Sequence, residues 1–220
     1  MDDDRTPVYF MPGMAANPSI FDNIKLDESR FEVHLLKWFT PEKGTSFEEY
    51  AKEMCKMVTH ENPVLVGVSF GGLLVQEMAR HIPVKKVIIV SSVKSENELP
   101  KRMLFAKYTK VHKLLPTGLV NNVELLAKYA FGETVTKRLE LYEKYLSIRD
   151  KYYIDWSIDN IVNWRKKEHL SNLIHIHGEK DAVFPIMNIG ECIKVKNGTH
   201  TMIIHRARWF NEHLPILILR

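Results

Sequence analysis

Cysteine and long apolar runs are both scarce in this sequence. Its two cysteines, Cys55 and Cys192, can form at most one bridge, so a disulfide-built domain is excluded and two reduced, buried thiols are expected. No run approaches the roughly 18 apolar residues of a membrane span, and the apolar tail 216–219 is far too short. The acidic start, residues 1–4, lacks the basic and then apolar pattern of a secretion signal. We therefore expect a cytoplasmic protein without a membrane span.

A dense block of one charge is also lacking. The 31 basic and 27 acidic residues give a formal net charge of +4, and the basic residues are scattered along the chain. Nucleic-acid binding calls for a more concentrated basic surface, so we expect no nucleic-acid partner. A length of 220 residues, 45% of them hydrophobic, fits one globular domain with a substantial core.

Short runs rich in β-branched residues alternate with helical patterns along most of the chain. Several runs are almost continuously apolar, as are strands covered on both faces, which favours a mainly parallel sheet flanked by helices. The alternation predicts an α/β fold with about six strands. The predicted strands cover residues 8–10, 31–36, 64–68, 87–90, 173–177 and 192–195.

Two helices are predicted between the early strands. Residues 47–58 carry apolar side chains at helical spacing, and Ser46 followed by Glu49 resembles a capping box at the helix start. Residues 72–82 form a second helical pattern, which Pro83 ends.

The alternation of strands and helices stops between residues 95 and 168. That stretch is rich in Lys, Leu, Tyr and Trp at helical spacings, which predicts a mainly helical lid inserted into the single domain 1–220. Four aromatic side chains in it either line an acyl pocket or pack the lid against the core, and the sequence favours neither interpretation. They are Tyr152, Tyr153, Trp156 and Trp164.

The pentapeptide Gly67-Val68-Ser69-Phe70-Gly71 lies where a buried strand ends and a helix begins. A Gly-x-Ser-x-Gly sequence on its own also occurs in plain glycine turns. At a strand-to-helix turn, however, small residues let the crowded backbone hold a strained serine with its hydroxyl exposed above the sheet edge. The helix N-terminus then stabilises developing negative charge. Ser69 is therefore the predicted nucleophile.

Serine needs a base to become nucleophilic, and the chain has 10 histidines. In this fold type the base follows the last core strand, which leaves three candidates. His200 lies in a predicted loop, where its side chain can reach over the serine. His205 and His213 lie in helical patterns that are more typical of surface or packing residues. We predict His200 as the base and keep the other two as alternatives.

The third member of such a site is a carboxylate that orients the imidazole and stabilises its charged form. Asp181, just past a predicted strand, is the best candidate. Glu179 is the nearest competitor, and Asp159 lies inside the predicted insertion. The resulting chain order is Ser69, Asp181, His200.

Acyl transfer also needs two backbone N–H donors for the oxyanion. Phe70 directly follows the serine and is predicted to supply one. Met14, in the loop after the first strand, is predicted to supply the other, because Gly13 lets the backbone turn tightly ahead of the helix-like segment 18–24.

These pieces together resemble the α/β-hydrolase superfamily, and within it the small, lidded esterase- and lipase-like serine hydrolases. The matching segments are Pro12-Gly13-Met14, the turn 67–71, the stretch 178–181 followed by Pro185, and Gly198-Thr199-His200. The resemblance covers nearly the whole chain. It departs in having Pro12 where the family usually has His, and in lacking the family's first two antiparallel strands, which implies a trimmed, six-stranded sheet.

The resemblance implies a Ser-His-Asp triad that cleaves an ester or thioester of a small acyl substrate through an acyl-enzyme. Cleavage of a C–C bond by the same triad stays open, because fold does not fix function. The alternative is a non-catalytic ligand- or partner-binding protein on the same scaffold. No cofactor is expected, and no metal, since His175 and His177 share a strand face without a third ligand cluster.

Overall fold

A six-stranded sheet forms the centre of the computed structural model, which describes residues 4–110, 145, 148–166 and 170–220. The strands are β1 (Thr6–Met11), β2 (Phe31–Leu35), β3 (Val64–Val68), β4 (Lys86–Val90), β5 (Leu173–Gly178) and β6 (Ile193–Val195). They lie in the order β2-β1-β3-β4-β5-β6, and every neighbouring pair is parallel. The parallel sheet of about six strands predicted from the sequence is confirmed.

Burial along each strand follows the strand's place in the sheet. All five residues of the inner strand β3 are buried, which explains its unbroken apolar run. The edge strand β2 is more open: Phe31 is buried, whereas Val33 and Leu35, on the same face, are 45% and 46% exposed. The sheet therefore has a covered centre and one partly open edge.

Helices flank the sheet on the segments between strands. Ser46 begins α1 with the predicted capping box: its Oγ accepts from Glu49 N at 3.2 Å, and Glu49 Oε2 accepts from Ser46 N at 2.8 Å. The second helix starts at Phe70, two residues before the prediction, because the chain bends directly at Ser69. The helices are α1 (Phe47–Cys55), α2 (Phe70–Met78), α3 (Lys101–Thr109), α4 (Lys151–Asn163), α5 (Met202–His205) and α6 (Ala207–Leu219), with short 3-10 turns at Pro18–Phe21, Glu96–Glu98 and Ile186–Asn188.

The predicted insertion, residues 95–168, is described only in part. Its described portions contain α3 and α4, and α4 packs on the core through the fully buried Tyr153 and Ile154. The remainder of the predicted lid lies outside the described residues, so the lid and its boundaries stay a prediction. No helix in the described ranges is long and apolar enough to cross a membrane.

Both cysteines are free thiols, but only Cys55 is buried as predicted. Cys55 is buried at the end of α1, and burial raises the pKa of its thiol to about 11. Cys192 is only partly buried, because it immediately precedes the short outer strand β6.

Candidate active site

Three residues predicted from the sequence meet at the carboxyl edge of the sheet. Ser69 follows β3, Asp181 follows β5 and His200 follows β6, and the carboxyl ends of parallel strands share one edge. Nε2 of His200 lies 2.9 Å from Ser69 Oγ. Nδ1 of the same ring lies 2.9 Å from Asp181 Oδ2 and 3.1 Å from Oδ1. The structure thus joins the serine hydroxyl, the imidazole and the carboxylate in one hydrogen-bonded chain.

Ser69 adopts a strained backbone conformation. Its φ of 53° and ψ of −118° lie outside the regions that non-glycine residues ordinarily occupy. Hydrogen bonds hold it there: its N–H donates to Val90 O at 2.9 Å, and its carbonyl accepts from Ser92 Oγ at 2.7 Å. Such strain persists only where neighbours enforce it, and it turns the side chain out above the sheet.

Glycine is required beside Ser69 by close backbone approach. A Cβ on Gly71 would overlap the carbonyl oxygens of Met11 and Pro12, and a Cβ on Gly67 would overlap Gly71 itself. Gly13 is different, since its added Cβ would rest 3.4 Å from the Ser69 Cβ, an ordinary contact. The strand–turn–helix segment and the loop after β1 are therefore packed directly on one another.

Asp181 is buried, with no exposed side-chain surface. Its Oδ1 accepts backbone N–H groups from Val183 at 2.8 Å and Phe184 at 2.9 Å. Burial by itself raises the pKa of Asp181, but His200 and the Phe184 N–H outweigh it, so the pKa lies below its ordinary value. The carboxylate is therefore charged and fixed in orientation at neutral pH.

Two further histidines lie behind this carboxylate, on β5. His177 Nε2 lies 2.8 Å from Phe184 O and 3.6 Å from Asp181 Oδ2, and its Nδ1 lies 3.1 Å from His175 Nε2. Burial lowers the pKa of His177, and it lowers that of His175 to about 3. Both rings are therefore neutral, and they form a buried polar row between the strand and the carboxylate.

The loop after β1 is held by a residue that the sequence analysis did not single out, Trp38. Its indole Nε1–H donates to Gly13 O at 2.8 Å, and its ring stacks on Phe70 with centroids 4.9 Å apart and planes at 8°. Trp38 therefore contacts both segments that carry the predicted oxyanion donors, Met14 and Phe70. Its sequence signal is weak, a single aromatic residue shortly after a strand end.

The Phe70 N–H belongs to the first residue of α2, where the helix provides no acceptor for it. Met14 follows Gly13 in the loop that packs against Ser69 and is partly buried. The next residue, Ala15, has a positive φ of 61° and donates its N–H to the Tyr153 hydroxyl at 3.4 Å. Both predicted donors thus lie on segments adjoining the serine.

The four aromatic residues predicted for the pocket have different surroundings. Tyr153 and Trp156 are buried, and Trp156 packs edge-on to Phe70 with centroids 6.0 Å apart. The Tyr152 hydroxyl instead donates to Glu42 O at 3.0 Å. Trp164 is 4% exposed just after α4. These contacts attach α4 to the core, and a role in substrate binding stays a prediction.

The competing residues lie apart from this chain of hydrogen bonds. His205 and His213 are exposed on α5 and α6, and His213 Nδ1 lies 2.8 Å from Trp209 O. Glu179 is exposed and accepts from Asn197 N at 3.1 Å. Asp159 lies on α4.

Comparison with known proteins is informative at the level of structure. The sequence matches no protein-family model and no curated protein. A bromoperoxidase from Bacillus anthracis superposes with a TM-score of 0.69 at 17% identity, covering 98% of this chain and 92% of that one. An esterase from Exiguobacterium antarcticum gives 0.66 at 17% identity, with 98% and 92% covered. A lipase-esterase related protein from Clostridium acetobutylicum gives 0.64 at 17% identity, with 99% and 96% covered.

These likenesses, together with the parallel sheet and its flanking helices, define the fold. The chain has the α/β-hydrolase fold, as the sequence motifs predicted.

Proposed function

We propose that this protein is a serine hydrolase that cleaves an ester or thioester through a Ser-His-Asp triad and an acyl-enzyme intermediate. The observation that carries the proposal is His200, which bridges Ser69 Oγ and Asp181 Oδ2 at 2.9 Å on each side. Asp181 is an acceptor only, so Nδ1 of the imidazole carries the proton and Nε2 offers its lone pair to the serine hydroxyl.

In the acylation step, Ser69 Oγ attacks the substrate carbonyl carbon while His200 Nε2 takes the hydroxyl proton. The imidazolium that forms is stabilised by the Asp181 carboxylate, which is already charged and desolvated. His200 then gives the proton to the leaving alcohol or thiol as the tetrahedral intermediate collapses. Ser69 is left acylated.

Deacylation repeats the same proton transfers with water. His200 takes a proton from water, the resulting hydroxide attacks the acyl carbonyl, and Ser69 leaves with the proton returned by the imidazolium. In both steps the oxyanion accepts from the backbone N–H groups of Met14 and Phe70. One such donor is typically worth about 10²- to 10³-fold in kcat. Each catalytic group in this proposal is a side chain or a backbone N–H of the protein itself.

The substrate is proposed to be a small acyl ester or thioester. The names of the structural neighbours, esterase and lipase among them, support this class. The Trp156 ring lies against Phe70 and the Tyr153 ring against Trp156, so the two would contribute an apolar wall. The predicted lid, residues 95–168, is proposed to set the size of the acyl group.

The test is covalent labelling by a fluorophosphonate probe together with hydrolysis of p-nitrophenyl esters and acyl thioesters of graded chain length. Wild type should label and turn over at least one of these substrates. Ser69→Ala should lose both signals, whereas Ser171→Ala, an exposed serine remote from the site, should retain them. Failure of folded wild type to label and to hydrolyse any substrate in the series would favour a binding protein on this scaffold.

A second pair of variants tests the base. His200→Ala should lose activity by several orders of magnitude with the fold retained. His205→Ala, an exposed histidine on the next helix, should stay near wild type. The reverse pattern would show that the base is misassigned.

A further inference from the structure

Three potential metal ligands converge at the open edge of the sheet, on residues that the proposed hydrolase chemistry does not use. Glu32 and His34 alternate on the edge strand β2 and so share one face. His60 reaches them from the turn after α1. One ligand atom from each lies within 4.8 Å of the other two, and each side chain is between 28% and 34% exposed.

The imidazole of His60 is oriented by a phenol beneath it. Tyr9 is 2% exposed, and its hydroxyl oxygen accepts Thr59 N–H at 3.1 Å and lies 2.7 Å from His60 Nδ1. Thr59 Oγ1 lies 3.3 Å from the same phenolic oxygen. A metal on Nε2 of His60 requires the ring proton on Nδ1, and the Tyr9 hydroxyl oxygen is placed to accept that proton. Metal-ligating histidines typically have such a partner on the other ring nitrogen.

His34 is fixed by stacking and presents its own nitrogen to the same carboxylate oxygen. Its ring lies on the Tyr9 ring with centroids 4.5 Å apart and planes at 16°. Nε2 of His34 is buried and lies 2.9 Å from Glu32 Oε1, yet it makes no hydrogen bond of acceptable geometry within the described residues. Nε2 of His60 lies 3.5 Å from the same oxygen. The two nitrogens and Oε1 thus surround one point.

The second carboxylate oxygen is engaged elsewhere. Arg5 Nη2 lies 3.5 Å from Glu32 Oε2, which turns Oε1 toward the two imidazoles and favours a single coordinating oxygen. The guanidinium charge weakens cation binding somewhat, so a site of moderate affinity is expected.

We propose that Glu32, His34 and His60 form a binding site for a transition-metal ion, with Zn²⁺ as the best fit. Two imidazoles and one carboxylate are borderline ligands that suit Zn²⁺ and exclude a preference for Mg²⁺ or Ca²⁺, which take oxygen ligands. Ligand atoms at tetrahedral angles on one zinc are about 3.4 Å apart. The 3.5 Å between His60 Nε2 and Glu32 Oε1 already fits, and the 2.9 Å between His34 Nε2 and the same oxygen must lengthen by about 0.5 Å. Water is the proposed fourth ligand, since each of the three side chains is partly exposed. The site is independent of the proposed hydrolase function.

Binding of Zn²⁺ would connect β2 to the turn that precedes β3. The metal contacts the folded arrangement and not the unfolded chain, so saturating zinc should raise the melting temperature. The expected measurement is one equivalent of Zn²⁺ per chain by competition with a chromophoric chelator. Co²⁺ should give a tetrahedral d–d absorption spectrum, and excess Mg²⁺ should not displace either ion.

Three variants and a control test whether zinc binds at this site. Glu32→Gln and His60→Ala should each weaken zinc binding at least about tenfold, and Tyr9→Phe about 10- to 100-fold through loss of the bond to His60. His213→Ala, an exposed histidine on α6, should bind zinc as wild type does. Circular dichroism checks that each variant is folded. If Glu32→Gln misfolds, His60→Ala still tests the site, because His60 lies in a turn outside the sheet. If the three side chains form only an ion pair, zinc will not bind stoichiometrically. The absence of stoichiometric zinc binding, or zinc binding by His60→Ala as tight as by wild type, would overturn the proposal.

Discussion

Replacing Asp181 with Asn is the sharpest test of the candidate active site, because the structure fixes which way the new amide points. Oδ1 accepts backbone N–H groups from Val183 at 2.8 Å and Phe184 at 2.9 Å, so the amide oxygen must occupy that position. The amide NH₂ then takes the place of Oδ2, which lies 2.9 Å from His200 Nδ1. Two donors cannot face each other, so the shorter contact, 2.9 Å against 3.1 Å to Oδ1, favours a lone pair at His200 Nδ1.

That tautomer carries its proton on Nε2, directed at Ser69 Oγ, where a lone pair is needed. A triad imidazole in the wrong tautomer loses about 10⁴-fold in kcat, equivalent to about 5 kcal/mol of transition-state stabilisation. The fold should survive, because both backbone bonds to the side-chain oxygen are kept. We expect a change of at most about 2 kcal/mol in the free energy of unfolding.

The assay is single-turnover hydrolysis of a p-nitrophenyl ester, with urea unfolding measured on the same preparations. Glu179→Gln is the matched control, since it neutralises an exposed carboxylate on the same loop that accepts from Asn197 N. It should retain near-wild-type kcat. An Asp181→Asn protein that folds and keeps kcat within about tenfold of wild type would refute the proposed orientation of His200.

The remaining predictions concern the groups around this site. Burial holds the pKa of folded His175 at about 3, below that of the unfolded chain, so the unfolded state binds the extra proton and stability falls as the pH drops from roughly 6.5 to 3. In that range His175 makes the free energy of unfolding fall by about 1.4 kcal/mol per pH unit. Urea unfolding at several pH values should show a smaller fall in His175→Gln and the wild-type fall in the exposed-site control His213→Gln. Gly71→Ala should lower the melting temperature, at a cost of about 1–3 kcal/mol, because its Cβ would overlap backbone oxygens, whereas Gly13→Ala should fold nearly as wild type. Equal melting temperatures for those two variants would contradict the close approach of Gly71 to the backbone oxygens of the loop after β1. Trp38→Phe keeps the stacked ring but loses the indole bond to the loop, so kcat should fall about tenfold while thermal melting changes little, and an unchanged kcat would show that this bond does not position the loop.

Local patterns predicted much of this fold because each strand and helix is specified by neighbouring residues. The apolar run at β3 requires cover on both faces, and Ser46 with Glu49 forms the predicted capping box of α1. Helix ends were less accurate: α2 ends at Met78 rather than at residue 82, since its last turn loosens before Pro83. A proline marks where a helix cannot continue, not where it stops.

The edge cluster shows what a local pattern misses. His60 stands 26 positions after His34 in the sequence numbering, outside any metal-ligand spacing that a motif would display. The centroids of the His34 and His60 rings lie 4.7 Å apart only because the chain turns back after α1 and returns beside β2. Trp38 was missed for the same reason, since its value lies in a contact with Gly13 across the sheet edge.

The sequence by itself determined the strand–helix alternation and the loops that hold Ser69, Asp181 and His200, because both depend on residues close together in the chain. Tertiary structure alone decided that these three side chains meet within hydrogen-bond distance, and that Glu32 and the histidines near it converge on one point. Such distances depend on the order and register of the parallel strands, which packing of the whole domain sets.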